Sequence, residues 1–286
     1  MDRKTLVGCL SALLVLTSCS GRNAIVVGSK NFTEQIVLGE ILAQQIERRL
    51  GVPVIRKLDL GGTLLAHEAL RSGAIDLYPE YTGTALTAVL KRPAMPDART
   101  VFDAVHDAYH RQWQLEWMQP FGFINTFAMV VRHDGEESTL SAAANAHAWR
   151  LGMGYEFRQR PDGLKGLLET YHLRLAGEPV TMDLGLLYSA LQSGKVDMIA
   201  ANSTDGLLSI LNVTALEDDR RYFPPYQCAV IVREATISKY PGLGAAIEQL
   251  SGKIPESVMR NLNFQVDGKH RRVAEVAEEF LRTTVN

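Results

Sequence analysis

Cysteine is scarce. The 286 residues hold only 3, Cys9, Cys19 and Cys228, which excludes a disulfide framework and any cysteine-rich metal site. Charge of one sign is missing as well: 30 Lys and Arg face 32 Asp and Glu, for a formal net charge of -2, so no bulk basic field is present to hold nucleic acid. Aromatic residues make up 7% of the chain. The apolar run Thr5 to Leu16 falls short of the roughly 20 residues of a membrane-spanning helix, and no later stretch approaches that length. Enzyme signatures are also lacking. Gly194-Lys195, Gly252-Lys253 and Gly268-Lys269 are never followed by Ser or Thr, so there is no phosphate-binding loop. Gly152-Met153-Gly154 lacks the third glycine of a dinucleotide fingerprint, and no Gly-x-Ser-x-Gly elbow occurs. His106 and His110 share a helix face at i and i+4, but nothing nearby reads as a third metal ligand, so the pair is read as a solvated face and neither metal nor cofactor is expected. What remains is ordinary globular composition, 46% hydrophobic and 22% charged, in a chain long enough for one large domain or two modest ones.

The opening residues read as an address. Arg3 and Lys4 precede the short apolar run, which closes on Leu16-Thr17-Ser18-Cys19. These four residues resemble the bacterial lipobox, so residues 1–18 are expected to be a lipoprotein signal peptide and Cys19 the lipidated N-terminus of an exported, envelope-facing domain. Ser20, being no aspartate, points to the outer membrane where the host has one. Cys228 reads as a lone thiol packed as a small apolar residue.

Beyond the address, strand, loop and helix alternate. Ala24 to Val27 reads as a strand, and Ile36, Val37, Ile41, Leu42, Ile46 and Leu50 give a helical stripe opened by a capping box at Asn31-Phe32-Thr33-Glu34. Val54 to Leu58 reads as a second strand, Leu64 to Arg71 as a helix stopped by Ser72-Gly73, and Ile75 to Tyr78 as a third strand. The pattern predicts α/β architecture with parallel strands. The chain also resembles itself. Slid by 121 residues, Leu65, Ala69, Leu70, Ser72, Gly73 and Asp76 meet Leu186, Ala190, Leu191, Ser193, Gly194 and Asp197, and at an offset of 125 Asn31-Phe32 meets Glu156-Phe157. Two similar α/β units closing on each other would place a ligand outside the carboxyl ends of their strands. The 121-residue offset pairs Tyr81 with Asn202, both expected in polar loops after buried strands.

Five spaced motifs, GSKNFTEQ (Gly28 to Gln35), DLYPEYTGT (Asp76 to Thr84), STDG (Ser203 to Gly206), LEDDRRYFPPY (Leu216 to Tyr226) and LNFQVDG (Leu262 to Gly268), resemble the substrate-binding proteins of osmoprotectant ABC importers, the ProX and OpuC type. The resemblance runs from about Ile25 to Leu281. It implies a two-lobe periplasmic-binding-protein fold of type II, each lobe a mixed sheet flanked by helices, with the ligand cleft between lobes. Residues 24–126 plus 227–286 would form the first lobe and 127–226 the second. The ligand implied is a glycine betaine-like zwitterion or cation held in a box of aromatic rings, because a trimethylammonium cannot donate hydrogen bonds and is stabilised by ring faces at about 0.5–2 kcal/mol per contact. The partners implied are that small ligand, the permease subunits with their ATPase, and the membrane through a lipid anchor. The protein would act as a monomer and would make or break no bond.

Carried over by position, Tyr81 and Tyr226 match cage aromatics, and Phe127 stands where a tyrosine is usual. Asn202 stands where a cage tyrosine is common, so the cage is incomplete. Lys30 and Arg160 match positions that meet a ligand carboxylate, with Asn31 offering N–H groups to the same anion. Asn125 matches a polar residue lining the cage and Thr84 one that tunes ligand choice. Other readings stay open: Lys30 as a solvated lysine, Arg160 beside Asp162 as a surface ion pair, Glu34 as a helix cap, and Asp205 as an Asx-type turn. The ligand stays open between glycine betaine and another betaine such as ergothioneine, and a sensor or enzyme on the same scaffold is the rival class.

Overall fold

The computed structural model describes residues 23–133 and 135–285. The signal-peptide and lipobox readings, Cys19 included, lie outside the described residues.

Among the described residues, ten strands make two five-stranded sheets. The first has the order β2-β1-β3-β10-β4, built from β1 (Ile25–Gly28), β2 (Val54–Lys57), β3 (Leu77–Tyr81), β4 (Leu115–Trp117) and β10 (Cys228–Arg233). The second has the order β7-β6-β8-β5-β9, built from β5 (Phe127–Arg132), β6 (Leu151–Met153), β7 (Val180–Thr181), β8 (Met198–Asn202) and β9 (Val213–Ala215). The chain therefore passes from sheet to sheet twice, between β4 and β5 and between β9 and β10. Pairing sense is the same in both: three parallel strands, then two joined antiparallel. The three strands read from sequence, β1, β2 and β3, are parallel as expected, and each sheet is mixed. The fourth strand of each sheet runs the other way because it enters from a crossing segment and not from a strand–helix–strand unit.

The internal repeat has a structural counterpart. Strands β3 and β8 begin and end 121 residues apart, and helix α2 (Thr63–Arg71) corresponds to the helical turns Leu184–Gln192. Tyr81 and Asn202, expected in loops, are instead the last residues of β3 and β8, opposite Cys228 and Phe127. Strand β3 runs three residues past its predicted end and through Pro79. The bond from Thr82 N–H to the Gln227 carbonyl marks Thr82–Gln227 as a hydrogen-bonded pair, so by alternation Pro79 turns its nitrogen away from β10. On that side pairing with β1 involves only Leu77, and no ladder bond is lost to the proline.

Helix α1 (Thr33–Leu50) packs Val37, Leu38, Ile41, Leu42 and Ile46 into the core under the first sheet and ends on Gly51, whose φ of 64° is the left-handed cap that glycine adopts freely. Its start corrects the capping-box reading. The N-cap is Phe32, no side chain caps the helix, and Glu34 is buried.

Candidate ligand cavity

The carboxyl ends of β1, β3, β6 and β8 point to a common space, where the chain turns through Ser29-Lys30, Thr82-Gly83, Gly154-Tyr155 and Ser203-Thr204. A cavity of about 410 Å³ lies there, within the roughly 300–1,000 Å³ of small-molecule sites. All nine side chains singled out from sequence, Lys30, Asn31, Tyr81, Thr84, Asn125, Phe127, Arg160, Asn202 and Tyr226, line it. Their local roles differ from several expectations.

Lys30 is no solvated lysine. It is 2% exposed, its Nζ lies 2.6 Å from Glu80 Oε1 and 4.6 Å from the centre of the Tyr81 ring. Arg160 is no surface ion pair either. Its guanidinium is buried, donates to Asp162 at 2.9 and 2.5 Å and to Thr84 Oγ1 at 3.0 Å, and lies 5.0 Å from the Phe127 ring centre. Burial alone would raise the Asp162 pKa. Arg160, with the Tyr226 and Thr87 hydroxyls at 2.5 and 2.9 Å, outweighs that and holds the carboxyl below its ordinary value. Asn31 is exposed, and its N–H is already bonded to the Gly61 carbonyl, so it does not offer that donor to an anion.

Glu34 sits behind the wall of the cavity. One of its oxygens accepts from the Tyr81 hydroxyl at 2.6 Å and the Asn125 amide at 2.8 Å, the other from Thr204 Oγ1 at 2.5 Å and the Asn263 amide at 3.2 Å. Desolvation raises its pKa against the pull of those four donors. Asp205 makes no Asx-type turn forward. It reaches back to accept from the Asn202 backbone N–H at 3.1 Å and side-chain amide at 3.3 Å, and from the Tyr188 hydroxyl at 3.1 Å, with burial pushing its pKa up to about 6.

Sequence reasoning passed over Phe32, Tyr155, Glu156 and Phe157, which also line the cavity. Phe32 stacks on Tyr81 with ring centres 6.3 Å apart, and Phe157 meets Phe127 edge-on at 4.9 Å. The signal existed, since the 125-residue offset already aligned Phe32 with Phe157. Glu156 accepts from the Thr63 backbone N–H and, at 3.1 Å, its hydroxyl, joining the helix after β6 to the start of α2. Away from the cavity, the solvated histidine face has acidic neighbours: Glu116 hydrogen-bonds His110 and lies 3.5 Å from His106, with Glu234 alongside, all at an exposed or half-exposed edge.

The chain matches the family model described as the substrate binding domain of ABC-type glycine betaine transport systems over residues 23–283. It is 30% identical to a carnitine transport binding protein of Listeria monocytogenes, over 96% of this chain and 93% of that one. It is 33% identical to an ergothioneine transport permease/ergothioneine binding protein of Helicobacter pylori, over 91% of this chain but only 48% of that longer protein. A crystal structure of a glycine betaine/carnitine/choline ABC transporter protein superposes with a TM-score of 0.76 at 29% identity, covering 91% of this chain and 98% of the other. Two mixed sheets flanked by helices, so arranged, are the type II periplasmic-binding-protein architecture.

Proposed function

Because the chain belongs to the family of substrate-binding domains of ABC-type glycine betaine transport systems, we propose that the cavity between its sheets captures a small zwitterion or cation with a quaternary ammonium head and delivers it to the permease subunits of an ABC importer. The observation that carries this reading is the joining, in one cavity, of the ring faces of Tyr81, Phe32, Phe127 and Tyr226 with the buried cations Lys30 and Arg160. Ring faces suit a head group that cannot donate hydrogen bonds, and two cations suit a carboxylate at its other end. Residues 24–126 with 227–286 act as one lobe and 127–226 as the other. Contacts from Thr84 to Arg160, from Thr87 to Asp162 and from Thr63 to Glu156 hold them closed. Asn125 braces the floor and Asn202 one wall. The protein is exported, tethered through a lipid on Cys19, monomeric, and catalyses nothing.

A second reading is a bulkier betaine. Asn202 withholds one ring from the cage and the relative from Helicobacter pylori is named for ergothioneine, so the same cavity suits a larger head group. A thermal-shift panel of glycine betaine, choline, carnitine, ergothioneine and free amino acids tests both, since a ligand that binds only the folded state raises Tm. A shift with a quaternary ammonium and none with simple amino acids is expected. A shift with amino acids alone would overturn the reading.

A further inference from the structure

Five buried charged side chains lie on or directly behind the cavity wall: Lys30, Glu34, Glu80, Arg160 and Asp162. Four of them cancel in pairs, Lys30 with Glu80 at 2.6 Å and Arg160 with Asp162 at 2.5 Å. Glu34 is left over. Its partners are two hydroxyls and two amides, all neutral, and it makes no ion pair among the described residues. Four donors satisfy the oxygens of a carboxylate without neutralising its charge, and a buried carboxylate without a counter-ion is costly. Among these five, one carboxylate, behind Tyr81, is left without a cation, and Glu156 and Asp183 on the cavity lining and Asp205 behind Asn202 add to the acidic side of the site.

We propose that Glu34 is the counter-charge for the ligand's cation, a specificity determinant that acts through the Tyr81 ring without touching the ligand. The Tyr81 hydroxyl donates to Glu34, which enriches the ring in electron density on the wall of the cavity. The carboxylate's own field adds to the attraction, weakly screened because Glu34 and Tyr81 are both buried. Lys30 over the same ring does not cancel this, because Glu80 already neutralises it. Glu34 also ties α1 to Asn125 in the first crossing segment and to Thr204 just after β8, so the charge stays fixed as the two sheets approach each other.

The inference rests on the reading of the cavity as a site for a cationic head group, and one pair of probes separates the two. Glycine betaine and 3,3-dimethylbutanoate share shape and carboxylate and differ only in the charged nitrogen. Calorimetric titration of both, with wild type and Glu34→Gln, reads the preference for the charged head directly. The preference should fall about tenfold in Glu34→Gln while binding of the neutral isostere changes by less than about twofold. Equal losses for both probes would overturn the proposal and leave Glu34 a structural brace. A wild type that holds the isostere as tightly as glycine betaine would instead overturn the cation-binding reading beneath it. Urea denaturation of each variant checks the fold. Should Glu34→Gln fail to fold, Tyr81→Phe keeps the ring face and cuts its link to Glu34, and an unchanged preference in that variant overturns the proposal equally.

Discussion

Replacing Arg160 by Ala is the obvious test of the carboxylate end of the site, and the structure changes what it would report. From motif position alone, the substitution should weaken a betaine by the worth of a charge-assisted bond, about 1.5–3 kcal/mol, and spare choline, which has no carboxylate. Arg160, however, makes three bonds to the protein itself, two of them to Asp162, which is 5% exposed. Without the guanidinium, Asp162 keeps only the Tyr226 and Thr87 hydroxyls. Removing one member of a buried pair costs about 3–5 kcal/mol, more than the ligand bond itself. Part of that cost falls on closure, because Thr84 and Thr87 follow β3 in the first sheet and Arg160 and Asp162 follow β6 in the second. Arg160→Ala should therefore lower the unfolding free energy by about 3 kcal/mol and weaken both ligands. The double variant Arg160→Ala/Asp162→Ala removes both charges and should recover most of that stability. The loss of betaine affinity relative to choline, measured in that background against wild type, then isolates the bond from Arg160 to the ligand carboxylate and should be at least about tenfold. Urea denaturation and calorimetric titration of the three proteins decide it. An Arg160→Ala protein within about 1 kcal/mol of wild type would refute the reasoning, since Asp162 would then have needed no partner.

Two further outcomes concern pH, with opposite signs. His67 is buried edge-on to Tyr109 and Trp113, both ring nitrogens unpartnered among the described residues, and burial with nearby Arg71 pushes its pKa down to about 4. A base lowered on folding contributes stability that is full above its unfolded value near 6.5 and lost as pH falls through 4, here at most about 3 kcal/mol. His67→Phe should abolish that loss, and urea denaturation at pH 7 and 4.5 that gives both proteins the same drop would refute it. Asp205 goes the other way: an acid raised by burial from 3.8 to about 6 favours folding at low pH and loses that contribution as pH rises through 6. Asp205→Asn should match wild type near pH 3.5 and exceed it at pH 8 by at most about 3 kcal/mol, and equal stability at both pH values would sink the argument. In the wild type the two slopes overlap between pH 4 and 6 and largely cancel, so only the variants reveal them.

Much of the architecture is legible in the sequence because it is local or repeated. A branched apolar run announces β1 and the Val54-Ile55 pair the start of β2, and the 121-residue offset aligns β3 with β8 from the residues alone. The failures share a cause in long-range partners. Asn-Phe-Thr-Glu before an apolar stripe spells a capping box, but Glu34 turns inward because Asn125, Thr204 and Asn263, 91, 170 and 229 residues away, deliver donors to it. The alternative reading of Lys30 as a solvated lysine fails because Glu80, 50 residues on, is brought beneath it. The antiparallel fourth strand of the first sheet is likewise invisible locally, since β10 returns only after the second sheet is complete.

Asn202 looks like a gap in the cage when set against the motif, and the structure gives it a different meaning. It is the counterpart of Tyr81 by repeat and by position at the end of its strand. Tyr81 reaches a carboxylate, Glu34, through its hydroxyl, and Asn202 reaches one, Asp205, through its amide and its backbone N–H. Both positions are therefore backed by acids that form no ion pair among the described residues, so position 202, which has no ring of its own, still has a carboxylate behind it. A tyrosine at 202 would add a π face but release Asp205 from the amide that helps satisfy it, at a cost of about 1–3 kcal/mol for a buried acceptor left short. That cost is comparable to the cation–π stabilisation the new ring would supply. Filling the apparent gap should therefore leave affinity for a quaternary ammonium nearly unchanged, because selection for the cation already rests on carboxylates behind the wall as much as on rings within it.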